Sequence, residues 1–397
     1  MSDPVVIVSA VRTAIGSLNG VLSTIPAHDL GTIVIKEALQ RSKVRSSDVS
    51  EVIMGQVYTA GQGQNPARQA SMNAGIPVEV PAYNMNLLCG SGLKTIILGA
   101  QAIMCGESSI VVAGGQESMS QVPHAVHLRS GLSGVSDKPL VDLIVHDGLM
   151  DAFNNYHMGI TAENLAKKWK ITREQQDQFA LGSQLKAEKA QKDGVFATEI
   201  VTVPTKSRKR KATVEYDVDE YPRKGSTIEG MAKLRSCFIE DATGTVTAGN
   251  SCGMNDGAAA VVLMKQSEAQ KRGVAPLARI ASWGQAGVDP AIMGSGPIPA
   301  IKKALEKAGW NIGDVDLFEL NEVFAAQALT VTKELGIDMS KVNIYGGAIA
   351  LGHPLAMSGT RIVVTLINAM KRTNVKKGLA AICVGGGMGI AICVEAL

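Results

Sequence analysis

Four short segments hold residues able to do chemistry on a carbonyl group. Cys89 sits in Asn86-Leu87-Leu88-Cys89-Gly90-Ser91-Gly92, directly ahead of an apolar stretch with helical spacing. A thiol at a helix N-terminus feels unpaired N–H groups and the positive end of the helix dipole, which predicts a pKa well below the free value of about 8.5. The flanking glycines let an acyl group approach the backbone, whose N–H groups can bind an oxyanion. The alternative is a buried structural cysteine. His353 lies in Gly346-Gly347-Ala348-Ile349-Ala350-Leu351-Gly352-His353-Pro354. A histidine in such a loop, facing a cysteine, is the base of a nucleophile–base pair; taken alone, it is a structural residue. Cys383 ends an apolar strand just before Gly385-Gly386-Gly387, as a second acid/base thiol or as a small buried hydrophobe. Asn321-Glu322 closes the strand DLFEL. Ligands gather at the carboxyl ends of strands in open α/β sheets, so Asn321 either orients a water or an oxyanion, or simply makes a turn.

The rest of the chain narrows the chemistry. No G-x-G-x-x-G follows a strand and no G-x-x-x-x-G-K-[ST] is present, so nicotinamide, flavin and nucleotide-hydrolysis chemistry have no motif. The six cysteines include no C-x-x-C pair and the histidines no H-x-x-x-H pair, so neither a disulfide framework nor a metal site is expected. A net charge of +3 gives no general case for nucleic acid, and the run KSRKRK at 206–211 reads as a solvated loop. The N-terminus passes from Met-Ser-Asp-Pro straight into VVIVSAVRT, without the basic-then-apolar pattern of a secretory signal. The longest uncharged apolar stretch, 378–394, is interrupted by three glycines and suits two buried strands rather than a membrane span. A cytoplasmic location is the expectation.

Something must position residues so far apart, and a duplication supplies it. KEALQRSKVRSSDVSEVIMGQV from Lys36 matches KKALEKAGWNIGDVDLFELNEV from Lys302 at an offset of 266. Ser91-Gly92-Leu93-Lys94 matches Ser358-Gly359-Thr360-Arg361, each opening an apolar helix, at an offset of 267. IVVAGG ending at Gly115 is matched with AICVGG ending at Gly386 or Gly387. Short Val- and Ile-rich strands alternate with helices of about a dozen residues, the pattern of βαβ units and buried, mostly parallel sheets. Two similar α/β halves are expected, with equivalent loops meeting at one site. The segment from about 120 to 248 has no counterpart and reads as an inserted lobe.

These segments resemble the thiolase family. The resemblance runs through the whole chain and rests on LLCGSGLK, FELNEVFAAQ, GGAIALGHP and CVGGGMG, with GQNPARQ (63–69) and NDGAAAVVLM (255–264) in support. It implies two βαβαβαββ halves forming a layered α/β/α/β/α core plus a loop domain. The expected boundaries are 1–120 with 249–272, 121–248, and 273–397. Tyr156-His157-Met158-Gly159 and Met293 resemble the biosynthetic branch, which joins two acetyl-CoA molecules into acetoacetyl-CoA without a bound cofactor or metal. The roles implied are Cys89 as acyl-carrying nucleophile, His353 as its base, and Cys383 as the base that removes a methyl proton from the second acetyl-CoA. Two oxyanion sites are implied, one from His353 with a water held by Asn321, the other from the N–H groups of Cys89 and Gly385. Coenzyme A contacts are implied at His157, Met158, Arg223, Ser226 and Met231, and at Phe238, Ala248, Cys252 and Phe324. A homotetramer, a dimer of dimers built through a loop at about 123–142, is also implied. Neither a membrane nor a nucleic acid is expected as partner.

Five positions depart from the family text: Leu87 for Gln, Cys252 for Ser, Val323 for Ala, and Ala356-Met357 for Gly-Ala. All lie close in sequence to the catalytic loops. They either reshape the acyl pocket, toward 2-methylacetoacetyl-CoA or a slower reaction, or compensate one another in volume. A broader 3-ketoacyl-CoA thiolase is disfavoured because His157 and Met293 would crowd a long acyl chain. A non-catalytic acyl-CoA binder is disfavoured by the complete Cys89, Asn321, His353 and Cys383 set.

Overall fold

The computed structural model describes residues 3–127, 138–206, 213–241 and 243–397. The first half runs β1 (Val5–Thr13), α1 (Ala27–Ser42), β2 (Glu51–Gly55), α2 (Pro66–Asn73), β3 (Ala82–Met85), α3 (Ser91–Cys105) and β4 (Ile110–Ser118). The following segment holds α4 (Met158–Trp169) and α5 (Arg173–Lys192), and β5 (Asn255–Lys265) comes after it. The second half runs β6 (Ala278–Gly287), α6 (Pro297–Ala308), β7 (Leu317–Leu320), α7 (Ala325–Leu335), α8 (Leu355–Thr373), β8 (Lys377–Val384) and β9 (Met388–Ala396).

The strands pair in the order β7-β8-β9-β6-β1-β5-β4-β2-β3. Two sheets are joined at one edge, where Val6 and Ile7 of β1 pair with Arg279 and Ala278 of β6. Side-chain alternation makes each strand two-faced. Ile7, Ile53 and Leu263 face inward onto α3 and α8, together with Ile382 and Ile392 from the other sheet. Val6, Val8 and Val52 face α1 on one outer surface. Phe318, Leu379 and Cys393 face α6 on the other. The result is five layers with α3 and α8 in the middle. The stretch Leu88–Cys105, apolar enough by composition to cross a membrane, is this central helix and its approach; α3 packs on β4 and α8.

The duplication is structural, with one correction. Val111 pairs opposite Glu51 in the first half, and Gly378 opposite Leu317 in the second. β4 and β8 therefore correspond at an offset of 267, not the 271 or 272 implied by aligning their glycines. The glycine runs mislead because Gly385-Gly386-Gly387 lies beyond β8, with Gly386 and Gly387 at φ of 80° and 84°, whereas Gly114 and Gly115 lie inside β4. In the corrected register Cys383 matches Gln116 and Val384 matches Glu117.

The central helices meet at equivalent residues. A Cβ on Gly92 would fall 2.4 Å from the Ala356 carbonyl oxygen, and one on Gly359 would fall 2.4 Å from the Leu93 nitrogen. Only glycine permits this approach. The loops entering α3 and α8 are thereby brought side by side, and these are the loops of Cys89 and His353.

The segment between β4 and β5 is clamped to β1 by charge. Arg12, fully buried, donates from Nε to Glu199 at 2.6 Å and from its two terminal nitrogens to Asp219 at 2.7 and 2.9 Å. Two expected features fall partly outside the described residues: the loop at about 123–142, through 128–137, and KSRKRK, through 207–211.

Candidate active site

Cys89 sits at the end of a tight, pre-bent loop. Leu88 has φ of 46°, a left-handed conformation that costs a leucine about 1–2 kcal/mol. Side chains hold it there. Asn86 Oδ1 accepts from the Leu88 N–H at 2.9 Å. Ser91 Oγ accepts from the Leu87 N–H at 2.8 Å and donates to the Leu88 carbonyl at 2.6 Å.

The expected low pKa of Cys89 is not what the structure gives. Burial pushes the thiol up to about 12, against the opposing pull of two N–H groups, those of Gly385 and of Cys89 itself. Glu117 adds a further upward push. A low-dielectric pocket penalises the thiolate more than the helix end rewards it. The two N–H groups converge on the Cys89 sulfur, the position expected of an oxyanion hole for a group carried on it.

His353 has a fixed tautomer. Its Nδ1 lies 2.6 Å from Ser358 Oγ, and the Ser358 hydroxyl donates to the Pro354 carbonyl at 2.9 Å. That hydroxyl has one proton, so it must accept from His353 Nδ1–H, which leaves Nε2 with a free lone pair. Nε2 is buried without a hydrogen-bond partner among the described residues. Burial, and then Arg361, push the imidazole down to about 3, so it is neutral at rest. Ser358 was not singled out as a functional residue from the sequence; its match to Ser91 was the available signal. Both hydroxyls donate to a carbonyl three or four residues back and accept from the loop that carries the reactive group.

Cys89, His353 and Gly385 line one cavity of about 460 Å³, with His157, Met158, Arg223, Phe238, Ala248, Cys252 and Phe324. Cys383 and Asn321 are not among its lining residues. Cys383 is fully buried in an apolar cluster with Met158, Met293, Val323 and Phe324. Burial raises its pKa strongly, and Cys89 and Cys252 raise it further; Cys252 packs against the same cluster. Asn321 is buried, and neither its Oδ1 nor its Nδ2 has a hydrogen-bond partner among the described residues. Native chains leave such atoms unpaired mainly where a ligand or ordered water serves them.

The cavity mouth is aromatic. His157 stacks on Phe238 with centroids 4.6 Å apart, and Phe238 meets Phe324 edge-on at 6.3 Å. His157 Nδ1 accepts from the Gly159 N–H at 3.0 Å, capping α4, and so presents Nε2–H as its donor. Ser226 and Met231 do not line this cavity. They line a neighbouring one of about 250 Å³ that shares Arg223 with it, and Ser226 Oγ donates to the Arg223 carbonyl at 2.7 Å. Sequence reasoning missed Tyr221, Leu149, Ser251 and Met119, which also line the main cavity; no motif marks them, because they come from separate loops.

Of the five departures, only Cys252 and Val323 reach the cavity. They are bonded to each other, the Cys252 N–H donating to the Val323 carbonyl at 2.9 Å. Leu87 packs against the central core, and Ala356 and Met357 are fully buried in α8. None of these three lines the cavity, although Ala356 packs in one cluster with Leu355 and Met119, which do, beside Cys89.

Comparison with known proteins agrees with this architecture. A family model described as the thiolase N-terminal domain matches residues 5–267, and one described as the thiolase C-terminal domain matches 274–396. The cytosolic acetyl-CoA acetyltransferase of Mus musculus is 61% identical over 99% of this chain and 98% of its own length. The acetyl-CoA acetyltransferase of Rhizobium meliloti is 58% identical over the full length of both. The crystal structure of the Bacillus anthracis acetyl-CoA acetyltransferase superposes with a TM-score of 0.96 at 44% identity, covering 100% of this chain and 99% of that one. Human mitochondrial 3-ketoacyl-CoA thiolase in complex with CoA superposes with a TM-score of 0.95 at 42% identity, covering 100% of this chain and 98% of that one.

Proposed function

Because the chain belongs to the thiolase family, we propose that it works as an acetyl-CoA C-acetyltransferase, joining two acetyl-CoA molecules into acetoacetyl-CoA plus CoA and catalysing the reverse thiolysis. It is an acyltransferase, and CoA thioesters are its substrates rather than tightly bound cofactors. The observation that carries the residue assignment is the pairing of a cavity-lining thiol with a histidine whose Nε2 is held as a free acceptor in the same cavity.

The resting pair is neutral thiol and neutral imidazole. His353 Nε2 therefore takes the Cys89 proton as the sulfur attacks the acetyl carbonyl, not in a separate earlier step. The CoA thiolate leaves and acetyl-Cys89 remains. Cys383 gives its proton to the departing CoA thiolate and, as the thiolate, removes a methyl proton from a second acetyl-CoA. The enolate attacks acetyl-Cys89, the acyl carbon–sulfur bond breaks to release acetoacetyl-CoA, and the Cys89 sulfur takes its proton back from His353. The N–H groups of Cys89 and Gly385 stabilise the oxyanion of the acyl-enzyme steps. The two orphaned partners, His353 Nε2 and the Asn321 amide, serve the second oxygen, Asn321 through a water. Coenzyme A lies along His157, Met158, Phe238, Ala248, Cys252 and Phe324. Arg223, whose guanidinium stacks over Tyr221 at 5.6 Å, binds its phosphorylated end with Ser226 and Met231 beside it.

The domain division goes with this function: 1–120 with 249–272, 121–248, and 273–397. Supporting it, β5 pairs with both β1 and β4 of the first half. A homotetramer built through the loop at about 123–142 fits the short ribbon in which His124 and Ala125 pair with Asp142 and Val141 at the base of that loop. Light scattering at four times the 41.6 kDa chain mass is the expected result. A cytoplasmic location rests on the relatives named cytosolic.

Incubation with acetyl-CoA followed by mass spectrometry tests the core assignment. An adduct of about 42 Da, one acetyl group, is expected on Cys89. No adduct and no CoA release would make the chain a binder and not an enzyme.

A further inference from the structure

We propose that Glu117 is a positioning residue that locks the Cys89 loop and the His353 turn into one rigid unit. The inference rests on the acetyltransferase reading above. Glu117 is fully buried near the end of β4. Its Oε2 accepts from the Val57 N–H and the Ala356 N–H, both at 3.1 Å, and its Oε1 from the Tyr58 N–H at 3.2 Å. Ala356 lies in the first turn of α8, where N–H groups have no partner within the helix, and His353 immediately precedes that helix. On the other side, the Val57 carbonyl accepts from Asn86 Nδ2 at 3.4 Å, and Asn86 Oδ1 accepts from the Leu88 N–H next to Cys89.

One carboxyl group thus connects both reactive loops through a continuous set of hydrogen bonds. The two loops come from different halves, so neither half's own ladder fixes the distance between them. The duplication does not explain this residue: its counterpart in the corrected register is Val384, which accepts no side-chain bond. Glu117 is not among the residues that line the cavity, which separates positioning from direct catalysis. Burial raises the Glu117 carboxyl to about 8, against the opposing pull of the Tyr58, Val57 and Ala356 N–H groups.

The test is steady-state thiolysis of acetoacetyl-CoA with the full chain. Glu117→Gln keeps the volume and removes the double-acceptor carboxyl group. A fall in kcat of about 10- to 100-fold is expected, the effect of a small misplacement of reacting groups, with KM for CoA within about threefold of wild type. Asn86→Ala, at an exposed position, should lower kcat less. The double variant should be no slower than Glu117→Gln alone, because both act on one path. A Glu117→Gln enzyme with kcat within about twofold of wild type overturns the proposal, as does a loss of thermal stability with kcat intact. Should Glu117→Gln not fold, Glu117→Asp is measured instead and judged by the same kcat criterion. Absence of turnover in the wild type would strike at the acetyltransferase reading, and not at Glu117.

Discussion

His353 and Ser358, five residues apart, form a 2.6 Å bond that fixes which ring nitrogen carries the proton. Ser358→Ala removes the acceptor for Nδ1–H and frees the ring to turn or change tautomer. The expected effect is a fall in kcat of about 10- to 100-fold with little change in KM, comparable to losing an orienting partner elsewhere. Steady-state thiolysis of acetoacetyl-CoA checks it, and kcat at the wild-type level would show that packing alone orients the ring.

A second prediction follows from the two opposed shifts at the site. With the Cys89 thiol raised to about 12, its alkylation by iodoacetamide in the free enzyme should accelerate about tenfold per pH unit from 7 to 10 without levelling off. A plateau near pH 8 would mean that the thiolate is stabilised after all. His353 is lowered from 6.5 to about 3. The unfolded chain binds this proton below pH 6.5 and the folded chain does not until about 3, so the contribution to stability is complete above 6.5 and declines as pH falls toward 3. His353→Gln should reduce the loss of Tm between pH 6.5 and 4.5.

The linked pair Cys252 and Val323 tests acyl selectivity. Cys252→Ser with Val323→Ala restores the common family text at the only two departures that touch the cavity. If they shape the acyl pocket, the double variant should change the ratio of kcat/KM for 2-methylacetoacetyl-CoA to that for acetoacetyl-CoA by about 10-fold or more, the worth of one or two methyl-sized contacts. An unchanged ratio would mark them as mutually compensating. Leu87→Gln and Met357→Ala should leave that ratio unaltered.

Arg12 sets the stability of the inserted segment. Arg12→Met leaves Glu199 and Asp219 buried without their cation, and breaking a buried pair in this way costs about 3–5 kcal/mol. Thermal unfolding should show a clear fall in Tm. A variant as stable as wild type would mean that the carboxyls are protonated or hydrated in its place.

Much of this molecule was legible in the sequence, because the signals were local. Cys89 ahead of α3, His353 in its glycine-rich loop, and the offset of 266 to 267 are properties of short segments. Hydrophobic runs and turn residues specify α/β halves without reference to the rest of the chain. Matching the third repeat by its glycines slips it by four or five residues, because hydrogen-bond register, and not glycine identity, is what fixes a strand.

Tertiary structure alone decided the rest. The charge state of Cys89 depends on how much water the assembled pocket excludes, and that term overrode the helix-end effect visible in the sequence. Which departures matter depended on side-chain placement: Cys252 and Val323 line the cavity, Leu87 and Met357 pack in the central core, and Ala356 is buried in a cluster with Leu355 and Met119 beside Cys89. Glu117 carries no motif, because its three partners come from two distant segments. Sequence determined which groups are present and what each half folds into; packing Gly92 against Gly359 determined which of them meet.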